Sequence, residues 1–142
     1  MATMRMTQVI RRPVADVFGT VIDAGNFASW NPTIKASRQL TPGAASEGSQ
    51  FEWELRGFGK VRQELQEFDR NRGVRIVPHS KAISGGHHFT FTELETGTRV
   101  DHELEMTPKG LFRLMAPVMA MAGRRNLAAT AAALQRHLER GE

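Results

Sequence analysis

The sequence predicts an α+β domain in which an antiparallel sheet curls round one long C-terminal helix and leaves an apolar pocket between them. Three observations predict it: strand-like segments follow one another between residues 33 and 106, a short amphipathic helix precedes them, and a long apolar segment follows them. With 142 residues the chain is long enough to bury a real core, and we expect one domain spanning residues 1–142.

The composition is typical of a globular protein and excludes several chemistries. Hydrophobic residues make up 40% of the chain and charged residues 24%, which argues against a disordered or membrane-embedded protein. Because the chain has no cysteine, it has no disulfide, thiolate nucleophile or Cys-ligated metal. The N-terminus lacks the apolar core of a secretory signal, and no apolar run is long enough to span a bilayer. We therefore expect a cytoplasmic protein without an integral membrane segment.

The net charge of +4 raises the question of nucleic-acid binding. The basic pairs at residues 11 and 12, 70 and 72, and 124 and 125 lie at the ends of predicted elements. They are not interleaved with aromatic residues on which bases could stack. We therefore predict no nucleic-acid partner.

The chain begins with a predicted strand over residues 4–11 and a short helix. Pro13 suits the first helical position, and Gly25 ends the helix. Residues 26–30 are long enough for one more helical turn, after which Asn31-Pro32 returns the chain to extended geometry. The apolar stripe of the first helix consists of Val14, Val17, Phe18, Val21 and Ile22.

Six strands are then predicted, over residues 33–40, 49–55, 61–68, 74–79, 83–94 and 98–106. Short loops join them, so the expected arrangement is an antiparallel meander. The alternation of apolar and polar residues breaks at Glu67-Phe68, which predicts a bulge. Gly85-Gly86 lies inside a strand and indicates a bulge or a close approach of two backbones.

Two hairpin registers follow from placing apolar residues opposite one another on a single face. In the first hairpin, a loop centred on residue 58 pairs Trp53 with Gln63. In the second, a two-residue turn at residues 96 and 97 pairs Phe89 with Leu104. Both registers leave one face of the sheet apolar and the other charged.

A long helix is predicted over residues 108–139, on the order of 40 Å if continuous. Pro117 should kink this helix or separate its first turns from the rest. No other element is long enough to cover the apolar face of the sheet, so the helix should lie across the concave face. The segment 110–125, which has a Leu and Met face and terminal arginines, also suits a membrane surface, but its expected contact with the sheet favours burial.

The residues predicted on the concave side are either plain core or the wall of a ligand pocket. Gln63 and His102 are the polar residues among them, and they would orient a ligand because a buried polar group needs a partner. Methionines near the helix kink suit an adaptable apolar site, although they could equally fill gaps under the helix. The predicted ligand-binding residues are Phe51, Trp53, Gln63, Leu65, Phe89, Phe91, His102, Leu104, Met115, Val118 and Met119.

No catalytic residue is assigned from the sequence. His102 could move a proton, but no convincing partner for it is found, and a hydrogen-bonded core histidine is the alternative. His87 and His88 are neighbours on a strand and point to opposite faces, so they should not share a metal. We expect neither a metal nor any other cofactor, and the chain has no tyrosine to polarise a ligand carbonyl.

Several local motifs, taken in order, resemble one family of proteins. They are Arg12-Pro13-Val14, Trp30-Asn31-Pro32, Gly97-Thr98-Arg99-Val100 and Pro108-Lys109-Gly110-Leu111. In order and spacing they are similar to the START-like superfamily (SRPBCC), and within it to the polyketide cyclase/dehydrase and lipid-transport family. The resemblance implies a helix-grip fold whose cavity, in relatives, holds lipids, sterols, plant hormones or polyketides. It implies little about chemistry, because many members only bind their ligands.

Three hypotheses about function remain open. The leading one is a binding or carrier protein for a small hydrophobic molecule that is lipid-, sterol- or polyketide-like. The second is a cyclase or dehydratase that uses the same cavity, and the third is an accessory domain that binds a protein through its surface. A homodimer is compatible with all three.

Overall fold

A seven-stranded antiparallel sheet dominates the computed structural model, which describes residues 2–141. Its strands are β1 (Ala2–Ile10), β2 (Ile34–Gln39), β3 (Gln50–Leu55), β4 (Gly59–Asp69), β5 (Gly73–His79), β6 (Ile83–Leu94) and β7 (Gly97–Pro108). The order across the sheet is β1-β7-β6-β5-β4-β3-β2. The six-strand meander is therefore confirmed, and β1 extends it by pairing with β7.

Two α-helices and two 3-10 helices accompany the sheet in this part of the chain. They are α1 (Val14–Ile22), a first 3-10 helix (Ala24–Ser29), a second 3-10 helix (Gly110–Met115) and α2 (Ala116–Arg140). Pro117 lies in the first turn of α2, where a proline removes no helical hydrogen bond, so the predicted separation of the first turns is confirmed. α2 is about 37 Å long and ends at Gly141 in the left-handed conformation.

The edges of the curled sheet meet at α2. From the β1 side, Gln8 Nε2 donates to Ala131 O at 2.9 Å and Arg12 Nη1 donates to Leu138 O at 2.8 Å. From the chain segment before β2, Asn31 Nδ2 donates to Thr130 Oγ1 at 3.1 Å. The sheet therefore grips α2 between its two ends, which is the helix-grip arrangement.

Both predicted hairpin registers are wrong by two residues, although the faces are right. Trp53 pairs with Val61, because the loop is only three residues long and Gly57 (φ 78°) supplies the left-handed conformation that this loop needs. Phe89 pairs with His102, because residue 97 belongs to β7 and the turn lies one position earlier, at residues 95 and 96. A shift of two residues leaves every side chain on its predicted face.

The predicted irregularities inside two strands are confirmed. The register of β4 against β5 shifts between Gln66 and Asp69, and Glu67 has a φ of 51°. In β6, a Cβ added at Gly85 would collide with the backbone of Glu105 on β7. Gly85 therefore marks a close approach of two backbones.

The concave face has a closed end and a half-open end. At the closed end, α1 and the last turns of α2 bury the sheet residues Leu65, Val74, Phe89, Phe91 and Val100. Toward the other end, the inward-facing residues Pro78, His87, Leu104 and Met106 are only half-buried. An enclosed pocket stays a prediction, but this end has the room for one.

The start of α2 does not lie on the sheet as expected. The buried positions of the helix begin at Gly123 and continue through Leu127, Ala131, Leu134 and Leu138. Ahead of them, Leu111, Leu114 and Val118 are 85%, 84% and 62% exposed. The expectation that the segment 110–125 is buried is therefore wrong, because only the later turns lie between the two ends of the sheet.

Replacing Gly85 with alanine should destabilise the fold by about 2 kcal/mol or more, because the φ of 120° is strained for alanine and the new Cβ meets the backbone of Glu105. The matched control is Gly19→Ala on α1, where nothing lies within 4 Å of the added Cβ. That change should stabilise the protein by roughly 0.5 kcal/mol or more. Urea unfolding measures both, and an unchanged midpoint for Gly85→Ala would contradict the close approach.

Candidate functional site

Nine of the eleven predicted ligand-binding residues are buried or half-buried. Phe51, Leu65, Phe89 and Phe91 are fully or almost fully buried in the core, and Met119 on α2 is half-buried. Trp53 and Leu104 are half-buried on the concave face, where Gln63 and His102 also lie. The other two predicted residues, Met115 and Val118, are exposed and are not brought to this face.

A chain of polar side chains crosses the buried floor of the site. His87 Nε2 lies 2.9 Å from His102 Nδ1, and His102 Nε2 lies 2.7 Å from Gln8 Oε1. Gln8 Nε2 donates to the backbone oxygen of Ala131 on α2 at 2.9 Å. His102 is only 2% exposed, so its two ring nitrogens are both satisfied inside the protein.

The contact with α2 fixes the direction of the hydrogen bonds along this row of side chains. Ala131 O can only accept, so the atom of Gln8 that faces it must be the NH₂ group. Gln8 Oε1 then accepts from His102 Nε2, which makes the Nδ1 of His102 an acceptor for the Nε2 proton of His87. His87 is left with the lone pair of its Nδ1, to which no residue in the described part of the chain donates.

Burial holds both imidazoles in the neutral form. It lowers the pKa of His102 to about 4, although the Asp101 carboxylate acts in the opposite direction. It also lowers the pKa of His87 well below the usual value of 6.5, and the neighbouring His102 and His88 add to that shift. No carboxylate among residues 2–141 bonds to either ring, so the Asp101 carboxylate only partly offsets the effect of burial on His102.

These histidines are suited to hydrogen bonding more than to proton transfer at neutral pH. A general base works best when its pKa lies near the working pH, and that of His102 is far below it. From the sequence, His102 could move a proton, but no second acid or base was found to work with it. The structure supplies His87 as a neighbour, but both rings disfavour the charged form.

Gln63 is the other polar group on the concave face, and its amide has no partner. The residue is 5% exposed, and no hydrogen bond joins its side chain to any residue in the described part of the chain. Among residues 2–141, the only side-chain nitrogen or oxygen that is fully buried and lacks a hydrogen-bond partner is Arg75 Nε, so the amide atoms of Gln63 are not fully buried. The small exposed area of Gln63 therefore includes its amide atoms, which face accessible space.

Gln63 and the His87 ring lie two strands apart on an apolar floor. Gln63 pairs with Pro78 on β5, and the next inward residue of β5, Ile76, pairs with His87 on β6. Two strand spacings separate the polar groups by on the order of 10 Å. Phe89 stacks on the His87 ring with centroids 3.9 Å apart, which fixes the orientation of the imidazole.

Sequence reasoning missed two members of this site. His87 was weighed as a metal ligand and not as a ligand-binding residue, although it shares its face with Phe89. Gln8 lies on β1 among the inward residues Met4, Met6 and Ile10, and this alternation was the signal that could have found it.

Outside the concave face, residues 2–141 show fewer features of a functional site. An open groove of about 500 Å³ lies beside α1 and the end of α2, but Arg12 in its wall already bonds to Asp16 and to Leu138 O. No three His, Asp or Glu side chains between residues 2 and 141 are grouped so as to hold a metal ion. Within the same range, every helix is too short or too polar to cross a bilayer.

The free energy of unfolding should fall as the pH drops from 6.5 toward about 4, because the unfolded chain takes up a proton that native His102 excludes. The difference between the pKa of 6.5 in the unfolded chain and about 4 in the native protein corresponds to roughly 3 kcal/mol of stability, all of it present above pH 6.5. Urea unfolding at several pH values should show a shallower dependence for His102→Gln than for the wild type. Equal slopes for the two proteins, or NMR resonances showing His102 protonated on Nδ1 at pH 7, would contradict this network.

Solved structures share this fold over nearly the whole chain. A START superfamily protein from Mycobacterium smegmatis has a TM-score of 0.80 at 16% identity, and the match covers 99% of both chains. A protein from Thermus thermophilus has a TM-score of 0.77 at 15% identity, over 96% of this chain and 97% of the other. The Aha1 protein of Colwellia psychrerythraea, solved as a dimer in solution, has a TM-score of 0.74 at 15% identity, over 100% and 99%. Identities this low show the fold alone.

The sequence itself carries a family assignment. No functionally curated protein matches it. Residues 1–139 match the family described as polyketide cyclase / dehydrase and lipid transport, and the START-like fold agrees with that match. The chain therefore belongs to the polyketide cyclase/dehydrase and lipid-transport family of START-like, helix-grip proteins.

Proposed function

We propose that this protein binds a small, mostly apolar molecule at the half-open end of its concave face. The observation that carries the proposal is the amide of Gln63, which is almost completely buried on an apolar floor and has no partner within the described chain. The amide atoms reach solvent only through the small exposed area of the residue. A bound molecule with a hydroxyl or carbonyl group would give the amide the partner that the described chain does not supply, through a hydrogen bond worth about 1 kcal/mol.

The surroundings of Gln63 determine what kind of molecule is suitable. Phe51 and Pro78 are its cross-strand partners, and Leu104 on the same face is only half-buried. Apolar surface of this kind gains about 25 cal/mol for each Å² removed from water. The body of the ligand is therefore apolar, and its polar atoms are few.

The Nδ1 atom of His87 supplies a second, more selective contact. In the neutral tautomer set by Gln8 and His102 this atom accepts a hydrogen bond and cannot donate one. A ligand hydroxyl or phenol satisfies it, whereas a carbonyl oxygen does not. The preferred ligand thus carries a hydroxyl group on the order of 10 Å from a group that bonds to the Gln63 amide.

Binding without reaction is the function that this geometry favours. Catalysed cyclisation or dehydration needs a group that gains and loses a proton near neutral pH. Both histidines of the site resist protonation because they are buried beside each other. The family match includes enzymes, so a cyclase or dehydratase remains the second candidate, with His87 and His102 as its polar residues.

Native mass spectrometry of the protein purified from its own host tests the proposal directly. A stoichiometric apolar adduct with at least one oxygen is the expected result. Calorimetric titration with oleic acid, a hydroxysterol and 1,8-dihydroxyanthraquinone then ranks three chemical classes. A clean protein mass together with no binding of any of the three probes would count against a carrier.

Replacing Gln63 with methionine should weaken binding of the best oxygen-containing probe by about 1 kcal/mol, which is roughly fivefold in Kd. The same change should leave the thermal midpoint unchanged or raise it, since the amide bonds to nothing in the described chain. The matched control is Gln66→Met, three positions further along β4 on the opposite face of the sheet. A loss of stability in Gln63→Met, or an equal loss of affinity in both variants, would contradict the assigned contact.

A further inference from the structure

An exposed apolar ridge stands at the junction of β7 and α2. Leu111 and Leu114 in the second 3-10 helix are 85% and 84% exposed, although leucine is among the residues most often buried. Large exposed patches of apolar residues mark interaction sites. The apolar ridge consists of Leu111, Phe112, Leu114, Met115, Val118 and Met121.

The part of the apolar ridge that lies on α2 points away from the concave face. At 100° per residue, the packing face of α2 is marked by Gly123 and Leu127, and Val118 and Met121 lie on the opposite side. A Cβ added at Gly123 would collide with the side chain of the inward-facing Met106 and crowd that of Met4, so this side of α2 packs closely on the sheet. The exposure is therefore built into the way α2 is seated.

The charged residues next to the apolar ridge in the sequence all have one sign. Lys109, Arg113, Arg124 and Arg125 lie within or beside it and are exposed, and no aspartate or glutamate occurs between residues 106 and 138. None of the four cations forms an ion pair within residues 2–141. Apolar residues ringed by unpaired cations are typical of surfaces that bind anionic lipid.

We propose that the apolar ridge docks the protein on the surface of an anionic bilayer. Its six side chains enter the boundary between headgroups and acyl chains, and the four cations lie among the phosphates. A second copy of this chain is a poorer occupant, because a symmetric contact would bring four cations of each protomer against four of the other. Docking does not rest on the ligand proposed above, since the two surfaces share no residue.

Co-sedimentation with sucrose-loaded vesicles tests the docking surface. Vesicles of phosphatidylcholine alone are compared with vesicles that contain 30% phosphatidylglycerol, in about 0.1 M and about 0.5 M NaCl. We expect at least tenfold tighter binding to the anionic vesicles and a marked loss of that binding at high salt. Equal binding to both vesicle types, or none to either, overturns the proposal.

Two double variants separate the apolar and the charged contributions. Leu111→Ser with Leu114→Ser should reduce binding to anionic vesicles at least tenfold and leave the thermal midpoint unchanged, because both side chains are about 85% exposed. Arg124→Gln with Arg125→Gln should reduce binding several-fold and lower its dependence on salt.

Matched controls and one alternative outcome complete the test. Phe58→Ser removes an exposed apolar residue from the β3–β4 loop, and Arg70→Gln with Arg72→Gln removes two distant charges, so neither should change binding. Light scattering on the wild type shows whether it dimerises. A dimer that Leu111→Ser with Leu114→Ser dissociates, without vesicle binding, would assign the ridge to self-association and overturn the proposal.

Discussion

The rest of the structure depends on how little of α2 the sheet can grip. The sheet has one apolar face, and its two ends reach the helix only between Gly123 and Leu138, through the bonds from Gln8, Arg12 and Asn31. The helix before Gly123 extends beyond that grip. One half of the concave face is consequently closed by packing, the other half keeps uncovered surface, and the first turns of α2 are left in contact with solvent.

The polar chain inside the core connects this grip to the proposed ligand site. Gln8 holds α2 through Ala131 O, and the same amide sets the tautomer of His102 and, through it, that of His87. A stabilising contact therefore decides which atom the site presents to a ligand. Because burial keeps both rings neutral, these hydrogen bonds are intact at neutral pH.

The sequence could predict the faces of the strands but not their registers or the seating of the last helix. Alternation repeats every two residues, so a register displaced by two positions, as for Trp53 and Phe89, satisfies it equally well. Gln63 and His102 were placed inside correctly for the same reason. The exposure of Leu111 and Val118 could not be predicted, because a helix face apolar enough for a core is also apolar enough for a membrane.

The two apolar surfaces of this protein differ in the charge of the polar groups beside them. On the concave face, the polar groups are neutral: an amide at Gln63 and two imidazoles whose pKa values are lowered by burial. Beside the apolar ridge, the charged side chains are cations, and the sequence has no acidic residue between positions 106 and 138. Neutral groups on an apolar floor can be satisfied by one small molecule that leaves water. Unpaired cations need many anions at once, and a lipid surface offers them in the plane next to its own apolar interior.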